Sequence, residues 1–203
     1  RKFWERDSGL TQLRKLLYLI SPQKINRNFY YNLNKVLSVG NVKFFQLRLK
    51  KYKFKEIVKI AKKIKKITVK HKVKLIINDD FEVAIKSNAD GCHMGQLDGS
   101  IALAKKKLRN KILGITCHNS KILAKKAIKE KVSYIAFGSF YKSKLKPKAI
   151  KADQTILKWA KIYMKKPIVV IGGIDNSNYK KLMELGANYI AISSFIWDNP
   201  NLK

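Results

Sequence analysis

The sequence predicts an α/β fold, a single (β/α)8 barrel of the TIM type. Three observations predict it: apolar runs of strand length recur along the chain, amphipathic helical patterns lie between them, and no Pro-, Gly- or Ser-rich linker divides the chain. Eight alternations of this kind fit a compact barrel, whereas a doubly wound open sheet normally has five or six strands.

Eight short apolar runs are predicted to be strands. They are Leu16–Ile20, Val42–Leu47, Lys74–Ile77, Gly91–His93, Ile112–Ile115, Tyr134–Gly138, Ile168–Ile171 and Tyr189–Ile192. The strands of a parallel barrel are buried on both faces, inside the barrel and under the helices, which is why the runs are nearly continuous.

The segments between these runs predict surface helices. From Phe54 to Ile67 the apolar residues recur at 3.6-residue spacing, while lysines fill the opposite face. Asn119 and Asn176 are placed to begin two further helices, and Gly186 is placed to end the second of them. The chain is therefore expected to alternate strand and helix throughout.

The charge predicts anionic partners. The 203 residues contain 45 Lys and Arg against 13 Asp and Glu, a formal net charge of +32. Only six of the 45 basic residues are Arg, and the lysines are spread over nearly every helical segment. This favours a solvated lysine shell over a specific nucleic-acid interface, since such interfaces rely on Arg forks and aromatic stacking.

The remaining composition bears on location and boundaries. Cys92 and Cys117 are the only cysteines, so no disulfide framework is expected and the cytoplasm is predicted. The longest apolar run, Pro167–Ile174, is far shorter than the roughly 20 residues that a membrane helix needs. Residues 1–12 do not resemble a secretory signal and are predicted to be an N-terminal extension, with the barrel domain spanning 13–203.

Polar residues follow the predicted strands, where barrels carry their reactive groups. After the second run come Gln46, Arg48 and Lys50, which the strand period of two places on one face. Taken alone, this pattern also suits the polar face of an edge strand. A closed barrel has no such solvent-facing side, so the three residues predict an anion site in the barrel mouth.

Carboxylates follow the next two runs. Asp79 and Asp98 are expected on adjacent strand ends, close enough to share one hard cation. Mg²⁺ that acts with phosphate substrates is commonly held by one or two carboxylates, with water and phosphate oxygens as the other ligands. The alternative is that Asp79 or Asp80 caps the next helix, and Asp80 is assigned that role.

The fifth run is followed by a threonine and by a cysteine and a histidine, two residue types that can act in nucleophilic catalysis. Thr116 is placed to donate a hydrogen bond to a bound phosphate. Cys117 and His118 would point to opposite faces of a strand, which argues against a Cys/His nucleophile pair. His71 is predicted to be solvated and His93 to be a structural strand residue, and no His cluster suggests zinc.

The last three runs are followed by anion-binding candidates. The segment Lys142–Lys146 carries a hydroxyl and three lysines, and it either closes over a polyanion or is a solvated basic loop. Gly172 and Gly173 follow the seventh run, and Ser193 and Ser194 follow the eighth. Barrels often bind phosphate there, because glycine lets backbone N–H groups approach the phosphate oxygens.

Two anion sites thus emerge, one with metal and one without, which suits a reaction that joins two phosphorylated substrates with loss of pyrophosphate. The motifs, in order, are Gln46-Leu47-Arg48-Leu49-Lys50, Ile77-Asn78-Asp79-Asp80, Ala89-Asp90-Gly91-Cys92-His93-Met94-Gly95-Gln96 with Asp98, Gly114-Ile115-Thr116, Ala136-Phe137-Gly138, Lys146, Ile171-Gly172-Gly173-Ile174 and Ser193-Ser194. This ordered set, from about Leu16 to Pro200, resembles the thiamine phosphate synthase family. Each motif is unspecific alone, but the set is highly specific.

The resemblance implies a transferase of thiamine biosynthesis that couples 4-amino-2-methyl-5-hydroxymethylpyrimidine diphosphate with thiazole phosphate and releases pyrophosphate. It implies Mg²⁺ held by Asp79 and Asp98. The pyrimidine diphosphate would be bound by Gln46, Arg48, Lys50, Asn78, Thr116 and Lys146, and the thiazole phosphate by Ser143, Gly173, Ser193 and Ser194. Arg48, Lys50 and Lys146 are the expected catalytic residues, since they can neutralise charge on the leaving pyrophosphate.

The sequence departs from the family pattern at Leu145, where the family usually has a threonine, and at Thr116, where serine is common. Two alternatives stay open. One is the similar thiazole tautomerase, which lacks the full diphosphate-binding set, and the other is a non-catalytic, basic nucleic-acid-binding barrel. The expected partners are the two small-molecule substrates, with no specific nucleic acid and no membrane, and a homo-oligomer is left open.

Overall fold

The computed structural model describes residues 16–142 and 151–200. In these residues eight parallel strands form a closed barrel in chain order. The strands are β1 (Leu17–Ile20), β2 (Val42–Leu47), β3 (Lys74–Asn78), β4 (Gly91–Met94), β5 (Ile112–Thr116), β6 (Tyr134–Gly138), β7 (Ile168–Ile171) and β8 (Tyr189–Ile192). The helices are α1 (Phe29–Ser38), α2 (Phe54–Lys70), α3 (Phe81–Lys86), α4 (Ile101–Leu108), α5 (Lys121–Lys129), α6 (Thr155–Tyr163), α7 (Tyr179–Glu184) and α8 (Ser194–Trp197).

The first and last strands close the barrel. Leu17 lies opposite Ile190 and Leu19 lies opposite Ile192 in the parallel β1–β8 pair. The other strands pair with their neighbours in sequence, so no sheet edge is left open. The predicted (β/α)8 fold is confirmed, and every predicted strand end agrees with the structure within one residue.

The core has two layers, one on each side of the sheet. Phe45 and Leu75 point outward and are covered by the helices. Phe44, Tyr18 and Tyr134 point into the barrel, where the Phe44 ring centroid lies 5.4 Å from that of Tyr18 and 5.8 Å from that of Tyr134. Both faces of the sheet are therefore buried away from solvent, as the continuous apolar runs predict.

Helix α2 shows how the lysine-rich sequence still builds a core. Ala61, Ile64 and Thr68 are buried on the face toward the sheet, and the lysines lie on the other face. The carboxylate of Glu56 accepts a hydrogen bond from the backbone N–H of Lys53 at 2.8 Å, which satisfies a donor at the start of the helix.

Two predicted helix caps are wrong, one by one residue and the other by two. Helix α5 is capped by Ser120, and Asn119 instead accepts a hydrogen bond from the backbone N–H of Asp153 at 3.1 Å. Helix α7 begins at Tyr179, with Asn178 rather than Asn176 in the cap position.

Two further expectations, for Gly186 and His71, can be compared with the structure. Gly186 follows α7 with a φ of +116°, which confirms it as the stop. The prediction that His71 is solvated is wrong, because it is half-buried and its Nε2 lies 2.8 Å from Asn34 Oδ1. The predicted boundary after residue 12 lies outside the described residues. None of the helices in the described ranges is long and apolar enough to cross a lipid bilayer.

Candidate active site

The carboxyl ends of the strands bring most of the predicted site residues to one face of the barrel. Gln46 and Thr116 lie at the ends of β2 and β5, and Asn78 ends β3. Asp79, Asp98, Gly173, Ser193 and Ser194 lie in the connections that follow the strands. Ser143 and Lys146 lie outside the described residues, so their placement stays a prediction.

Gln46, Arg48 and Lys50 were predicted to share one strand face, and this prediction is wrong. The strand ends at Leu47, so Arg48 and Lys50 already belong to the loop. Gln46 is buried at 3% exposure and its amide Nε2 donates to the hydroxyl of Tyr18 at 2.9 Å. Lys50 is exposed and reaches toward β3 instead, because the chain turns after the strand.

Asp79 follows β3 in a strained conformation, with a φ of +68° that Asp tolerates better than most residues. Its backbone N–H donates to the carbonyl of His93 at 2.7 Å, which fixes it against β4. Lys50 Nζ lies 3.3 Å from Asp79 Oδ2. Burial raises the pKa of Asp79, and the neighbouring Asp98 carboxyl raises it further, while Lys50 acts in the opposite direction.

The Asp79 and Asp98 carboxyl groups therefore lie within interaction distance of each other. Two such carboxylates repel, and a bound cation relieves that repulsion, so the pair fits Mg²⁺. In the part of the chain that the structure describes, no group of three or more His, Cys, Asp or Glu residues is placed to hold a metal ion. Water and diphosphate oxygens would supply the other ligands. Asp80 is the cap of α3, as predicted: its Oδ1 accepts from the backbone N–H of Glu82 at 2.9 Å.

Thr116 and His93 lie side by side in the mouth of the barrel. His93 Nε2 lies 2.8 Å from Thr116 Oγ1, and His93 Nδ1 lies 2.9 Å from the hydroxyl of Tyr134. The carbonyl of Thr116 accepts from Gln96 Nε2 at 2.6 Å. From the sequence, His93 was predicted to be a structural strand residue, and Tyr134 and Tyr18 were predicted only as strand positions.

The glycine pair after β7 lets the start of the β6–α6 loop pack directly against its backbone. A Cβ on Gly172 would lie 1.9 Å from Ser139 Oγ, and one on Gly173 would lie 2.2 Å from the carbonyl oxygen of Lys142. The backbone N–H of Tyr141 donates to the carbonyl of Gly172 at 3.0 Å. The start of the β6–α6 loop is thus fixed against the predicted phosphate site.

Asn178 holds the other side of this turn. Its Nδ2 donates to the carbonyl of Gly173 at 3.0 Å, and its Oδ1 accepts from the backbone N–H of Asp175 at 3.1 Å. The sequence patterns did not point to Asn178, because a single Asn before a helix is an ordinary helix start.

Ser21, after β1, connects the two predicted anion sites. Its Oγ accepts from the backbone N–H of Arg48 at 2.9 Å. Its carbonyl accepts from the hydroxyl of Ser193 at 3.2 Å. Nearby, Trp197 Nε1 donates to the carbonyl of Ile20 at 2.6 Å and anchors α8, which begins at Ser194. The closure of the barrel thus places the loop after β1 next to the loop after β8.

Fold and site together define a (β/α)8-barrel protein with a pair of carboxylates on one side of the mouth and the glycine–serine loops after β7 and β8 on the other. The model of the family described as thiamine monophosphate synthase matches residues 17–196. The chain therefore belongs to the thiamine monophosphate synthase family.

Curated relatives agree with this assignment. A thiamine-phosphate synthase of Pelagibacter ubique is 54% identical over 94% of this chain and 92% of its own length. One of Erythrobacter litoralis is 36% identical over 92% of this chain and 90% of its own. Among solved structures, a thiamine phosphate pyrophosphorylase of Pyrococcus furiosus has a TM-score of 0.78 and 26% identity, covering 90% of this chain and 87% of the other.

Proposed function

We propose that this enzyme, a thiamine-phosphate synthase, binds pyrimidine diphosphate over β2 to β6 and thiazole phosphate at the loops after β7 and β8. The observation that carries the proposal is that two groups of polar residues lie apart on one face of the barrel. Lys50 and the Asp79–Asp98 pair form one group, and the loops that hold Gly173 and Ser193 form the other. The names of the relatives do not favour the tautomerase or the nucleic-acid alternative.

On the diphosphate side, positive charge faces the leaving group. Arg48 and Lys50 both lie in the loop that follows β2, and Lys146 would join them from the β6–α6 loop. When bound between Asp79 and Asp98, Mg²⁺ would supply further neutralisation of the diphosphate charge. The backbone of Arg48 is fixed before the substrate arrives, because its N–H donates to Ser21 Oγ, and a preset backbone lowers the reorganisation that the reaction requires.

The chemistry breaks one bond and forms another. The bond between the pyrimidine methylene carbon and the diphosphate oxygen breaks, and pyrophosphate leaves with the electron pair. The resulting cation is stabilised by the pyrimidine ring, and the thiazole nitrogen attacks it with its lone pair. No general base is required for this attack, so the enzyme's main tasks are charge neutralisation and alignment of the two substrates.

On the thiazole side, backbone and hydroxyl groups bind the phosphate. Gly173 is held by Asn178 and lies beside the β8 end, where Ser193 and Ser194 begin α8. The same backbone also packs against the start of the β6–α6 loop, at Ser139 and Tyr141.

The cytoplasm is the proposed location. Both cysteines, Cys92 and Cys117, are unpaired and buried, as in proteins of reduced compartments. A homo-oligomer and the absence of nucleic-acid binding stay predictions.

The first experiment measures pyrophosphate release and thiamine phosphate formation with both substrates, with each alone, and with Mg²⁺ or chelator. We expect release only with both substrates and metal. Asp79→Asn removes one carboxylate and is expected to lower kcat by about 100-fold or more, the scale of losing one preorganised electrostatic contact. Asp80→Asn is the matched control, because Asn also caps helices and Asp80 faces α3. Equal losses in the two variants, or turnover without metal, would contradict the proposed metal site.

A further inference from the structure

Five side chains form one continuous hydrogen-bond chain across the inside of the barrel. Gln46 Nε2 donates to the hydroxyl of Tyr18 at 2.9 Å, and that hydroxyl lies 2.7 Å from the hydroxyl of Tyr134. The hydroxyl of Tyr134 lies 2.9 Å from His93 Nδ1, and His93 Nε2 lies 2.8 Å from Thr116 Oγ1. We name these five residues the buried hydrogen-bond chain. Its two ends, Gln46 and Thr116, are both proposed contacts of the pyrimidine diphosphate.

The buried hydrogen-bond chain lies in a closely packed environment that is shielded from solvent. Tyr18 and Tyr134 are 1% and 2% exposed, and burial raises the pKa of both phenols well above the ordinary value, so both stay protonated. The rings of His93 and Tyr134 are stacked, with centroids 5.6 Å apart. Gly114 makes room for Tyr134, because a Cβ on Gly114 would lie 1.9 Å from Tyr134 Cζ. The donors and acceptors therefore have little freedom to change partners.

The positions of the two phenol protons determine which atoms donate and which accept along the buried hydrogen-bond chain. Tyr18 accepts from Gln46, so its own hydroxyl proton points to the only other hydrogen-bond partner that the described residues give it, the oxygen of Tyr134. Tyr134 then donates to His93 Nδ1. With Nδ1 as the acceptor, the ring carries its proton on Nε2 and donates to Thr116 Oγ1.

Thr116 is left with a hydroxyl proton that cannot point back at His93. We propose that the buried hydrogen-bond chain makes Thr116 an obligate hydrogen-bond donor toward the pyrimidine diphosphate, with His93, Tyr134 and Tyr18 as positioning residues. The proposal rests on the proposed function for the identity of the substrate. The family match and the names of the relatives assign no part to Tyr18, Tyr134 or His93.

The opposite direction is a defined alternative. If the Gln46 amide were rotated by half a turn, Tyr18 would donate to it, His93 would carry its proton on Nδ1, and Thr116 would donate to His93. Thr116 would then offer only lone pairs to the mouth, and the negatively charged diphosphate oxygens would face an acceptor. The position of the His93 proton therefore decides between the two arrangements.

Nitrogen-15 NMR of the histidine rings measures that position in the intact protein. The chain has only three histidines, and the His71→Asn and His118→Asn variants assign the His93 signals by elimination. We expect a proton on His93 Nε2, and an Nε2 without a proton would overturn the proposal. The measurement needs no turnover, so it can fail or succeed independently of the proposed function.

Kinetics test the consequence for the substrate. Tyr134→Phe removes the link between Tyr18 and His93 but keeps the ring, and it is expected to raise KM for the pyrimidine diphosphate roughly tenfold, the scale of one hydrogen bond. KM for the thiazole phosphate should stay within about twofold. Phe44→Leu is the control for packing loss, because Phe44 contacts both phenol rings and carries no polar group.

A second variant keeps the proposal falsifiable if Tyr134→Phe folds poorly. Tyr18→Phe interrupts the chain one step further from Thr116 and should shift the same KM in the same direction by a smaller factor. In both variants the NMR spectrum should show that the ring proton of His93 is no longer confined to Nε2. A packing defect alone would not cause this change. Equal changes in the two KM values, or the effect of Phe44→Leu matching that of Tyr134→Phe, would overturn the proposal.

Discussion

The contact between Gly172 and Ser139 can be tested by adding one methyl group. An alanine at position 172 would place its Cβ 1.9 Å from Ser139 Oγ and 2.7 Å from Ser139 Cα, so backbone would have to move. Its φ of +107° is also unfavourable for any side chain. Gly40 offers a matched control, since its φ is +89° and a Cβ there would meet nothing within 4 Å.

The two variants separate conformational strain from the clash. Gly40→Ala lowers the free energy of unfolding only through its positive φ, by about 1–2 kcal/mol. The lower conformational entropy of the unfolded alanine chain offsets up to about 1 kcal/mol of this loss. Gly172→Ala has the same cost and a further ~1–3 kcal/mol from overpacking. We therefore expect Gly172→Ala to lower the free energy of unfolding by about 1–3 kcal/mol more than Gly40→Ala.

Urea unfolding followed by tryptophan fluorescence measures this difference, with equal m-values as the check that the unfolded states are comparable. The same displacement of the β6–α6 loop should raise KM for the thiazole phosphate in Gly172→Ala and leave it unchanged in Gly40→Ala. A stability difference below about 0.5 kcal/mol, within the range of ordinary surface substitutions, would refute the close packing of the two loops.

Three further outcomes are expected. Asp90→Ala should cost about 2–3 kcal/mol of unfolding free energy, since it leaves Lys65 Nζ and the backbone N–H of Leu75 without their carboxylate; urea unfolding with Asp90→Asn as the milder control checks this. Burial raises the pKa of Cys117 to about 12 and that of Cys92 as well, so thiol reagents at neutral pH should label them only on unfolding, and rapid native labelling would contradict the burial. Binding to random RNA should vanish near physiological salt in filter-binding titrations, and its persistence would revive the nucleic-acid alternative.

The barrel could be predicted because its strands are buried on both faces. Each strand is then a short apolar run, and the polar residue that ends it marks the carboxyl face, as Thr116 and Asn78 do. Local signals also sufficed for Asp80, whose cap hydrogen bonds reach only two and three residues along the chain.

Contacts between distant residues were not predictable in this way. The hydroxyls of Tyr18 and Tyr134 meet across 116 residues, and in the sequence both look like ordinary apolar strand positions. The contact between His71 and Asn34 likewise joins two helices and leaves no pattern in either. The shared face of Gln46, Arg48 and Lys50 failed for another reason, because the period of two holds only while the strand lasts and β2 ends at Leu47.

The contact between Ser21 and Ser193 has a consequence for the newly made protein. These residues are 172 positions apart, and their hydrogen bond joins the loop after β1 to the loop after β8. A ribosome-bound chain that still lacks β8 can pair β1 on one side only, with β2. The mouth of the barrel is therefore complete only once the eighth strand has been made and has paired with the first.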